Sequence, residues 1–162
     1  MELVFRIIRP KDAPFLKDFL TMALTVPGDG AAEESLLEKP EHRRYLDNWG
    51  QPGDLGFFVA LKKEKKPIGA VWFRQFSKEE PGFGFVDEAI PELILAVLPE
   101  YQNQGLGRQL LTRLIDQARL EGYPGLSVTV HKNNPAKGLY DRLDFKVKRE
   151  EGNYQVMVRS FR

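Results

Sequence analysis

The stretch from Glu92 to Gln117 constrains the fold of this 162-residue chain more than any other part of its sequence. It begins with a short apolar run, Leu93 to Leu98, which has the length and side-chain bulk of a buried strand. Pro99 ends the run, because proline has no N–H to donate to a neighbouring strand. A polar loop with Gly105 and Gly107 follows. The spacing then predicts an amphipathic helix, whose apolar residues recur three and four positions apart: Leu106, Leu110, Leu111, Leu114, Ile115 and Ala118.

A strand, a glycine-containing loop and a helix in this order favour a bound anion. The first turn of a helix has N–H groups without intrahelical partners and carries the positive end of the helix dipole. Glycine lets that backbone approach an anion without a Cβ in the way, so a pyrophosphate suits the site. A dinucleotide fingerprint, however, requires a third glycine where this chain has Leu110, and no Walker sequence is present. A dinucleotide-binding domain is also disfavoured because the chain has no βαβαβ repeat.

Two motifs of the chain resemble those of the GNAT superfamily of N-acetyltransferases. The first is Q-x-x-G-x-G, from Gln102 to Gly107, directly after the central strand. The second resembles N-x-x-A-x-x-L-Y-x-x-x-G-F, with these residues in register: Asn133, Ala136, Leu139, Tyr140 and Phe145. Asp144 stands where the family usually has glycine, and since Asp tolerates the left-handed conformation we expect a small stability cost and no loss of function.

The rest of the sequence fits the order of elements in that family. Alternating apolar residues predict strands over 3–9, 55–61, 68–76, 126–131, 146–149 and 154–160. Helices are predicted after Asp12 and over 31–39, 41–49 and 135–143. The resemblance implies the GNAT acyltransferase fold, an α/β (α+β) architecture with a central mixed, mostly antiparallel sheet of about seven strands flanked by helices. We expect a single N-acetyltransferase domain over residues 1–162.

The resemblance also implies acetyl-CoA as cosubstrate. In the family, the backbone of the motif turn binds the pyrophosphate, and pantetheine pairs with the edge of the central strand as an added strand would. The N–H of Val97 is then expected near the thioester carbonyl, where one such donor contributes ~2.7–4 kcal/mol in the transition state. Asn133 lies beside the pantetheine by the resemblance, and from the residues alone it suits a helix cap or turn equally well. The expected cofactor-binding residues are Leu95, Ala96, Val97, Gln102, Asn103, Gln104, Gly105, Leu106, Gly107, Arg108, Asn133 and Tyr140.

Tyr140 and Glu92 are the predicted catalytic residues. By the resemblance, Tyr140 is the general acid toward the leaving thiolate, and a phenol pKa near ~10 against ~8.5 for a thiol suits that role. The alternative is that Tyr140 only packs under the cofactor. Glu92 is predicted to take the proton of the amine, directly or through water, although strand alternation leaves open which face of the strand looks into the cleft. The other candidates for the base are Asp87, Glu88, His131 and ordered water.

Composition excludes several other functions. The formal net charge is +1 and no long basic block is present, which argues against a nucleic-acid partner. The chain has no cysteine, so it forms no cysteinyl acyl intermediate, and its two histidines are too far apart in sequence to suggest a metal site. The N-terminus is too short and too charged for a signal peptide, and no apolar segment is long enough to span a bilayer. We expect a cytoplasmic protein. The resemblance makes a homodimer one option, because many family members dimerise, and no feature of the sequence sets the oligomeric state.

These features predict an acetyl-CoA-dependent N-acetyltransferase that works by direct attack of an acceptor amine, either a small molecule or a protein amine. The alternative is a non-catalytic GNAT-fold module that binds acyl-CoA as a sensor or regulator. No motif in the sequence identifies the acceptor. Two roles are open for the residues Trp49, Trp72, Arg74, Phe76, Phe83 and Phe85: they belong to the core, the more common case, or they form an aromatic, partly basic acceptor pocket. In that pocket, Arg74 would favour an acceptor with a carboxylate or phosphate.

Overall fold

The structure is a computed structural model, and it describes residues 2–25 and 36–162. These residues form seven strands: β1 (Leu3–Ile7), β2 (Leu55–Leu61), β3 (Pro67–Arg74), β4 (Glu92–Val97), β5 (Gly125–His131), β6 (Lys146–Glu151) and β7 (Tyr154–Ser160). The α-helices in the described part are α1 (Ala13–Leu24), α2 (Pro40–Arg43), α3 (Leu106–Leu120) and α4 (Lys137–Arg142). Short 3-10 turns at Pro10–Asp12 and Pro99–Tyr101 precede α1 and the glycine loop.

The strands form one mixed sheet with the order β1-β2-β3-β4-β5-β7-β6. All neighbours are antiparallel except β4 and β5, which are parallel and pair only at Glu92 and Ser127. The predicted fold class is therefore confirmed. Because β4 stays paired with β3 along its whole length, the two parallel strands separate after their first residues and open a gap in the middle of the sheet.

Helices cover both faces of the sheet. Helix α3 buries the six apolar residues that its spacing predicted, and they pack against one face. Helix α1 packs on the other face through Leu16, Phe19 and Leu20. The side chains of β4 alternate between the two cores, with Leu93 on the α3 side and Ile94 on the α1 side. Alternation places Glu92 on the α1 side as well.

Some predicted boundaries differ from the structure. The helix predicted over 41–49 is the single turn α2, and residues 44–48 form turns in which Asn48 has a φ of 55°. The strand predicted over 68–76 ends at Arg74, whose side chain is drawn into a buried ion pair. The helix predicted over 31–39 falls largely outside the described residues. Asp144 has a φ of 65°, the left-handed conformation that the family's glycine suggested. Within the described part of the chain, no helix has the length and apolar character needed to cross a membrane.

Candidate active site

A cavity of about 320 Å³ lies where β4 and β5 separate. Its lining comes from both faces of the sheet, with Leu93 and Tyr140 on the α3 side and Glu92 and Tyr45 on the α1 side. The gap therefore connects the two sides of the sheet. Both predicted catalytic residues, Tyr140 and Glu92, line this one cavity although they lie on different elements.

Glu92 is buried, with 2% of its surface exposed, and three donors hold its carboxylate. The Tyr45 hydroxyl donates to Glu92 Oε2 at 2.7 Å, and the Thr129 hydroxyl donates to the same oxygen at 3.0 Å. The backbone N–H of Gly84 donates to Oε1 at 2.9 Å. Burial raises the pKa of Glu92 to about 7, against the opposing effect of these hydrogen bonds and of the nearby Arg149 charge. A carboxylate with that pKa is suited to accept a proton near neutral pH.

The loop from 81 to 85 packs directly on the Glu92 carboxylate, and glycine makes this approach possible. A Cβ at Gly84 would lie 3.0 Å from the carboxyl carbon of Glu92 and 2.7 Å from Thr129 Oγ1. Arg149 of β6 holds the loop in place by donating to Phe83 O at 3.1 Å and to Phe85 O at 2.8 Å. The loop thus closes the wall of the cavity around the carboxylate.

Tyr140 enters the cavity from α4. It is 3% exposed, and its ring packs edge-on against Phe145 with the centroids 5.4 Å apart. Burial raises the pKa of the Tyr140 phenol above its usual 10.0, so the group stays protonated at any physiological pH. A protonated phenol can donate a proton and cannot serve as a base.

Hydrogen bonds at the two ends of β4 establish which way its backbone groups point. The N–H of Leu98, just after β4, donates to the backbone oxygen of Ile68 in β3 at 2.9 Å. At the other end, Pro91 O accepts from the N–H of Ser127 in β5 at 2.9 Å. Backbone groups of successive residues in a strand point to opposite edges. The even-numbered residues of β4 therefore face β3, and the odd-numbered ones face the gap.

The gap-facing edge of β4 is where the family resemblance places the pantetheine arm. The backbone groups of Leu95 and Val97 lie at this edge, beyond the last pairing with β5. The backbone oxygen of Val97 already accepts from the Gln102 side chain at 3.0 Å, so the N–H is the group of Val97 that a ligand in the gap would use. The backbone of Ala96 points to β3, opposite Ala70, and not to the gap where the pantetheine arm is expected.

The glycine loop presents backbone to solvent at the start of α3. Gly105 is the N-cap residue with a φ of 82°, and a Cβ there would meet no atom within 4 Å. Gln102 to Gly105 are exposed, whereas the side chain of Leu106 is buried in the core below α3. The first intrahelical bond in this turn runs from Gln109 N to Gly105 O at 3.1 Å. The N–H groups of residues 106 to 108 precede it, and they are the donors that an anion would use.

The second motif places a neighbouring asparagine in the cavity. Asn133 is exposed, while Asn134 lines the cavity and its Oδ1 accepts from Ala136 N at 2.8 Å. Asn134 is thus the residue that holds the turn into α4. His131 also lines the cavity, and its Nδ1 accepts from Asn133 N at 3.1 Å.

Three other residues that the sequence suggested for the site lie outside the cavity. Asp87 and Glu88 are exposed and bind local backbone N–H groups, at Ala89 and Lys78, so neither is placed to act as the base. Arg74 does not line the cavity.

Arg74 is instead part of a buried ion pair. Its Nε and Nη2 donate to the two carboxylate oxygens of Asp54 at 2.9 and 2.8 Å, and its Nη1 donates to Arg44 O at 2.8 Å. The predicted aromatic, partly basic acceptor pocket is therefore wrong in its basic part. Its two tryptophans belong to the core, where Trp72 donates to Tyr45 O and Trp49 to Ile8 O. Of the six residues, Phe83 lines the cavity.

The sequence did not single out the two hydroxyls that bind Glu92. Tyr45 falls within the helix predicted over 41–49, and Thr129 is one position of the strand predicted over 126–131. The sequence did contain a clue to this contact. A carboxylate at the start of an apolar strand needs hydrogen-bond donors, and a buried tyrosine hydroxyl needs a partner. Among residues 2–25 and 36–162, no group of three or more His, Asp or Glu is arranged to hold a metal ion.

Comparisons with known proteins agree with this geometry. Residues 24–145 match the model of the acetyltransferase (GNAT) family. The chain is 30% identical over 122 residues to the mycothiol acetyltransferase of Thermobifida fusca (strain YX), a match covering 74% of this chain and 36% of that protein. It is 43% identical over 61 residues to the [ribosomal protein bS18]-alanine N-acetyltransferase of Escherichia coli (strain K12), covering 37% of this chain and 41% of the relative.

The matches thus span less than half the length of these curated relatives. Among solved structures, the PaiA N-acetyltransferase of Thermoplasma acidophilum in complex with coenzyme A superposes with a TM-score of 0.67 at 18% identity. That superposition covers 99% of this chain and 100% of the other, and it supports the fold. The family model spans most of the chain, and the sheet, the glycine loop and the gap agree with it, so this chain belongs to the GNAT acetyltransferase family.

Proposed function

We propose that this protein is an N-acetyltransferase that transfers the acetyl group of acetyl-CoA directly to an acceptor amine. The observation that carries the proposal is the open edge of β4, which leads from the N-terminus of α3 to a cavity that holds Glu92 and Tyr140. The names of the curated relatives and the coenzyme A in the similar solved structure support the same reaction.

Each part of the cosubstrate has a matching surface in the proposal. The pyrophosphate lies at the first turn of α3, where Gly105 leaves the backbone N–H groups open. The pantetheine arm pairs with the backbone of Leu95 and Val97, as a strand added to a sheet edge does. The thioester then reaches the cavity, close to the residues that handle protons.

The chemistry needs two proton transfers, and the cavity offers one group for each. The amine nitrogen attacks the thioester carbonyl, and its proton passes to Glu92, whose pKa is raised to about 7 by burial. The C–S bond breaks, and the thiolate takes a proton from the Tyr140 hydroxyl. Glu92 then returns its proton through solvent to restore Tyr140. The net products are the N-acetyl amine and CoA.

The first experiment is a calorimetric titration of acetyl-CoA into the wild-type protein and into Gly105→Glu. We expect micromolar binding by the wild type and its loss in Gly105→Glu, because a carboxylate at the helix N-terminus repels the pyrophosphate. Two controls separate this effect from backbone strain. Gly105→Gln has the same side-chain length without the charge, and Gly122→Glu places the same side chain at the other end of α3, where φ is 87° and the space is also open. Gly122→Glu should bind acetyl-CoA as the wild type does, and Gly105→Gln should bind it more tightly than Gly105→Glu.

The second candidate function is an acyl-CoA-binding module without turnover. It is distinguished by following the release of CoA thiol in the presence of a panel of primary amines. Binding of acetyl-CoA with no amine-dependent thiol release would favour the module, and absence of binding at millimolar acetyl-CoA would contradict both functions.

We also propose a single domain over residues 1–162, a cytoplasmic location and a homodimer. Limited proteolysis tests the domain, cell fractionation tests the location, and light scattering on the purified protein tests the oligomeric state.

A further inference from the structure

We infer that the acceptor is an amine on an apolar body that carries no carboxylate or phosphate close to the amine. The inference rests on the proposed acetyl transfer and names the substrate class of the same cavity. It comes from the charges and aromatic rings that line the cavity and from the way nearby arginines are already used.

The charged side chains lining the cavity are both acidic. They are Glu92, buried at the gap, and Glu151, at the end of β6. No lysine or arginine of the described residues lines it. The stretch from 26 to 35, which the structure does not describe, contains neither lysine nor arginine in its sequence. An anionic acceptor would therefore meet these two carboxylates, and the Arg149 guanidinium beside them is already paired with Glu151.

Three arginines on the segments around the cavity already have partners. Arg149 donates through Nε to Glu151 at 2.7 Å, and its two terminal nitrogens hold the backbone of the loop from 81 to 85. Arg74 is paired with Asp54, and Arg44 donates to Pro81 O at 2.6 Å. Recruiting any of these guanidinium groups to an acceptor carboxylate would break contacts that maintain the wall of the cavity.

The α1 side of the cavity is apolar and aromatic. Tyr45 and Phe83 are stacked with centroids 6.4 Å apart and an interplanar angle of 16°, and His42 lies 5.5 Å from Phe83. Leu24 and Leu36 complete this wall. Phe83 is 43% exposed and presents part of its ring to the cavity.

These features together favour an acceptor that is positively charged and has no negative charge near its amine. A primary amine arrives at neutral pH as an ammonium ion, which aromatic faces and carboxylates both attract. It loses one proton to solvent to become nucleophilic, and the second leaves during attack as described above. A carboxylate on the carbon next to the amine would be brought beside Glu92, whose ionised form is the active base. Repulsion then lowers both binding and the fraction of active base.

The test is a matched series of acceptors that share one ring and differ in charge: phenethylamine, phenylalaninamide and phenylalanine. With saturating acetyl-CoA, and with kcat/KM expressed per concentration of the unprotonated amine, we expect phenylalanine to fall at least ~10-fold below phenylalaninamide, which corresponds to about 1.4 kcal/mol of repulsion. Phenylalaninamide is the control for bulk, because it fills nearly the same volume without the charge. A short amidated peptide beginning with phenylalanine tells a peptide N-terminus from a free small amine as the source of the preferred group.

The outcomes separate this inference from the proposed function. If phenylalanine is acetylated as well as phenylalaninamide, the inference is overturned while the acetyltransferase stands. If none of the amines releases thiol although acetyl-CoA binds, the proposed function falls and the inference falls with it.

A pair of variants tests the charge directly. Glu151→Gln removes one acidic group of the cavity. It should lower the ratio of kcat/KM for phenylalaninamide to kcat/KM for phenylalanine by about 3-fold. The change is modest because this side chain is largely exposed. Glu150→Gln is the control, since Glu150 is outside the cavity lining and pairs with Gln155. An unchanged ratio in Glu151→Gln, or an equal change in Glu150→Gln, would overturn the role of Glu151.

Discussion

Tyr45 and Glu92 are 47 residues apart in the sequence, and a 2.7 Å hydrogen bond joins the Tyr45 hydroxyl to Glu92 Oε2. The same hydroxyl accepts from Phe83 N–H at 2.8 Å, so its own proton is directed at the carboxylate. One phenol thereby connects the segment after α2, the loop above the cavity and the first residue of β4. Movement of that loop is thus coupled to the environment of the proposed base.

The first prediction concerns the pH dependence of acetyl transfer. Because the pKa of Glu92 is raised to about 7, its base form appears only as pH rises through that value. With an acceptor whose own pKa is well above this range, log kcat/KM should rise with a slope of about two below the break and about one above it. Glu92→Gln should lower kcat/KM ~10²–10⁴-fold and leave a slope of about one throughout.

The pH dependence of protein stability offers an independent check on the raised pKa of Glu92. A carboxyl group whose pKa is raised in the folded state holds its proton more tightly there than in the unfolded chain. Wild-type stability should therefore fall as pH rises from the usual value of 4.5 towards 7, relative to Glu92→Gln. Denaturant unfolding of both proteins across this range measures the difference. Parallel stability curves would show that the pKa of Glu92 is not raised.

The second prediction is that Tyr45→Phe moves the break in the pH profile to higher pH. The Tyr45 hydrogen bond opposes the rise in the Glu92 pKa, so its loss raises that pKa further. Phenylalanine keeps the ring contacts with Phe76 and Phe83. The variant should also lose ~1–3 kcal/mol of stability, because Phe83 N–H loses its acceptor. A lower kcat with an unmoved break would mean that Tyr45 only supports the fold.

Thr129→Val supplies the matched comparison. It removes the other hydroxyl on Glu92 Oε2 and conserves the shape of the side chain. Its break should move in the same direction, and Thr129→Ser should restore the wild-type profile.

The third prediction separates catalysis by Tyr140 from packing. Tyr140→Phe retains the edge-on contact with Phe145 and removes only the hydroxyl. We expect kcat to fall ~10²–10⁴-fold, as for the loss of a general acid, with the Kd for acetyl-CoA changed by no more than about 3-fold. Tyr123→Phe is the control, since Tyr123 packs on Phe73 away from the cavity lining. Full activity in Tyr140→Phe would leave Tyr140 as a packing residue.

The backbone parts of the site were predictable from the sequence because they depend on local patterns. The apolar run of β4, the glycine turn and the spacing of α3 are each contained within a few residues. The structure confirms the strand and the helix that these patterns predicted, while the fold class was implied by the resemblance of the two motifs to the GNAT family. Asp144 was read correctly for the same reason, since its left-handed φ depends on the end of one helix.

The polar contacts of the site were less predictable because they join distant segments. Tyr45 and Thr129 reach Glu92 only once the segment after α2 is packed against β4 and β5, and no spacing in the sequence encodes that meeting. The backbone direction of Ala96 depends on its register with β3. The expectation for Arg74 failed for a similar reason, because its partner Asp54 lies in the turn before β2, 20 residues away.

The fourth prediction is that Arg74 contributes to stability and not to acceptor binding. Arg74→Met should cost ~3–5 kcal/mol in the free energy of unfolding, because it leaves the Asp54 side chain, only 2% exposed, as an unpaired buried charge. Arg74→Met combined with Asp54→Asn should recover more than half of that loss, since the second change removes the charge and keeps one acceptor oxygen. Denaturant unfolding measures both, and acetylation of phenylalaninamide by the double variant should show an unchanged KM. A KM raised ~10-fold or more without loss of stability would return Arg74 to the acceptor site, since each tenfold corresponds to about 1.4 kcal/mol of binding energy.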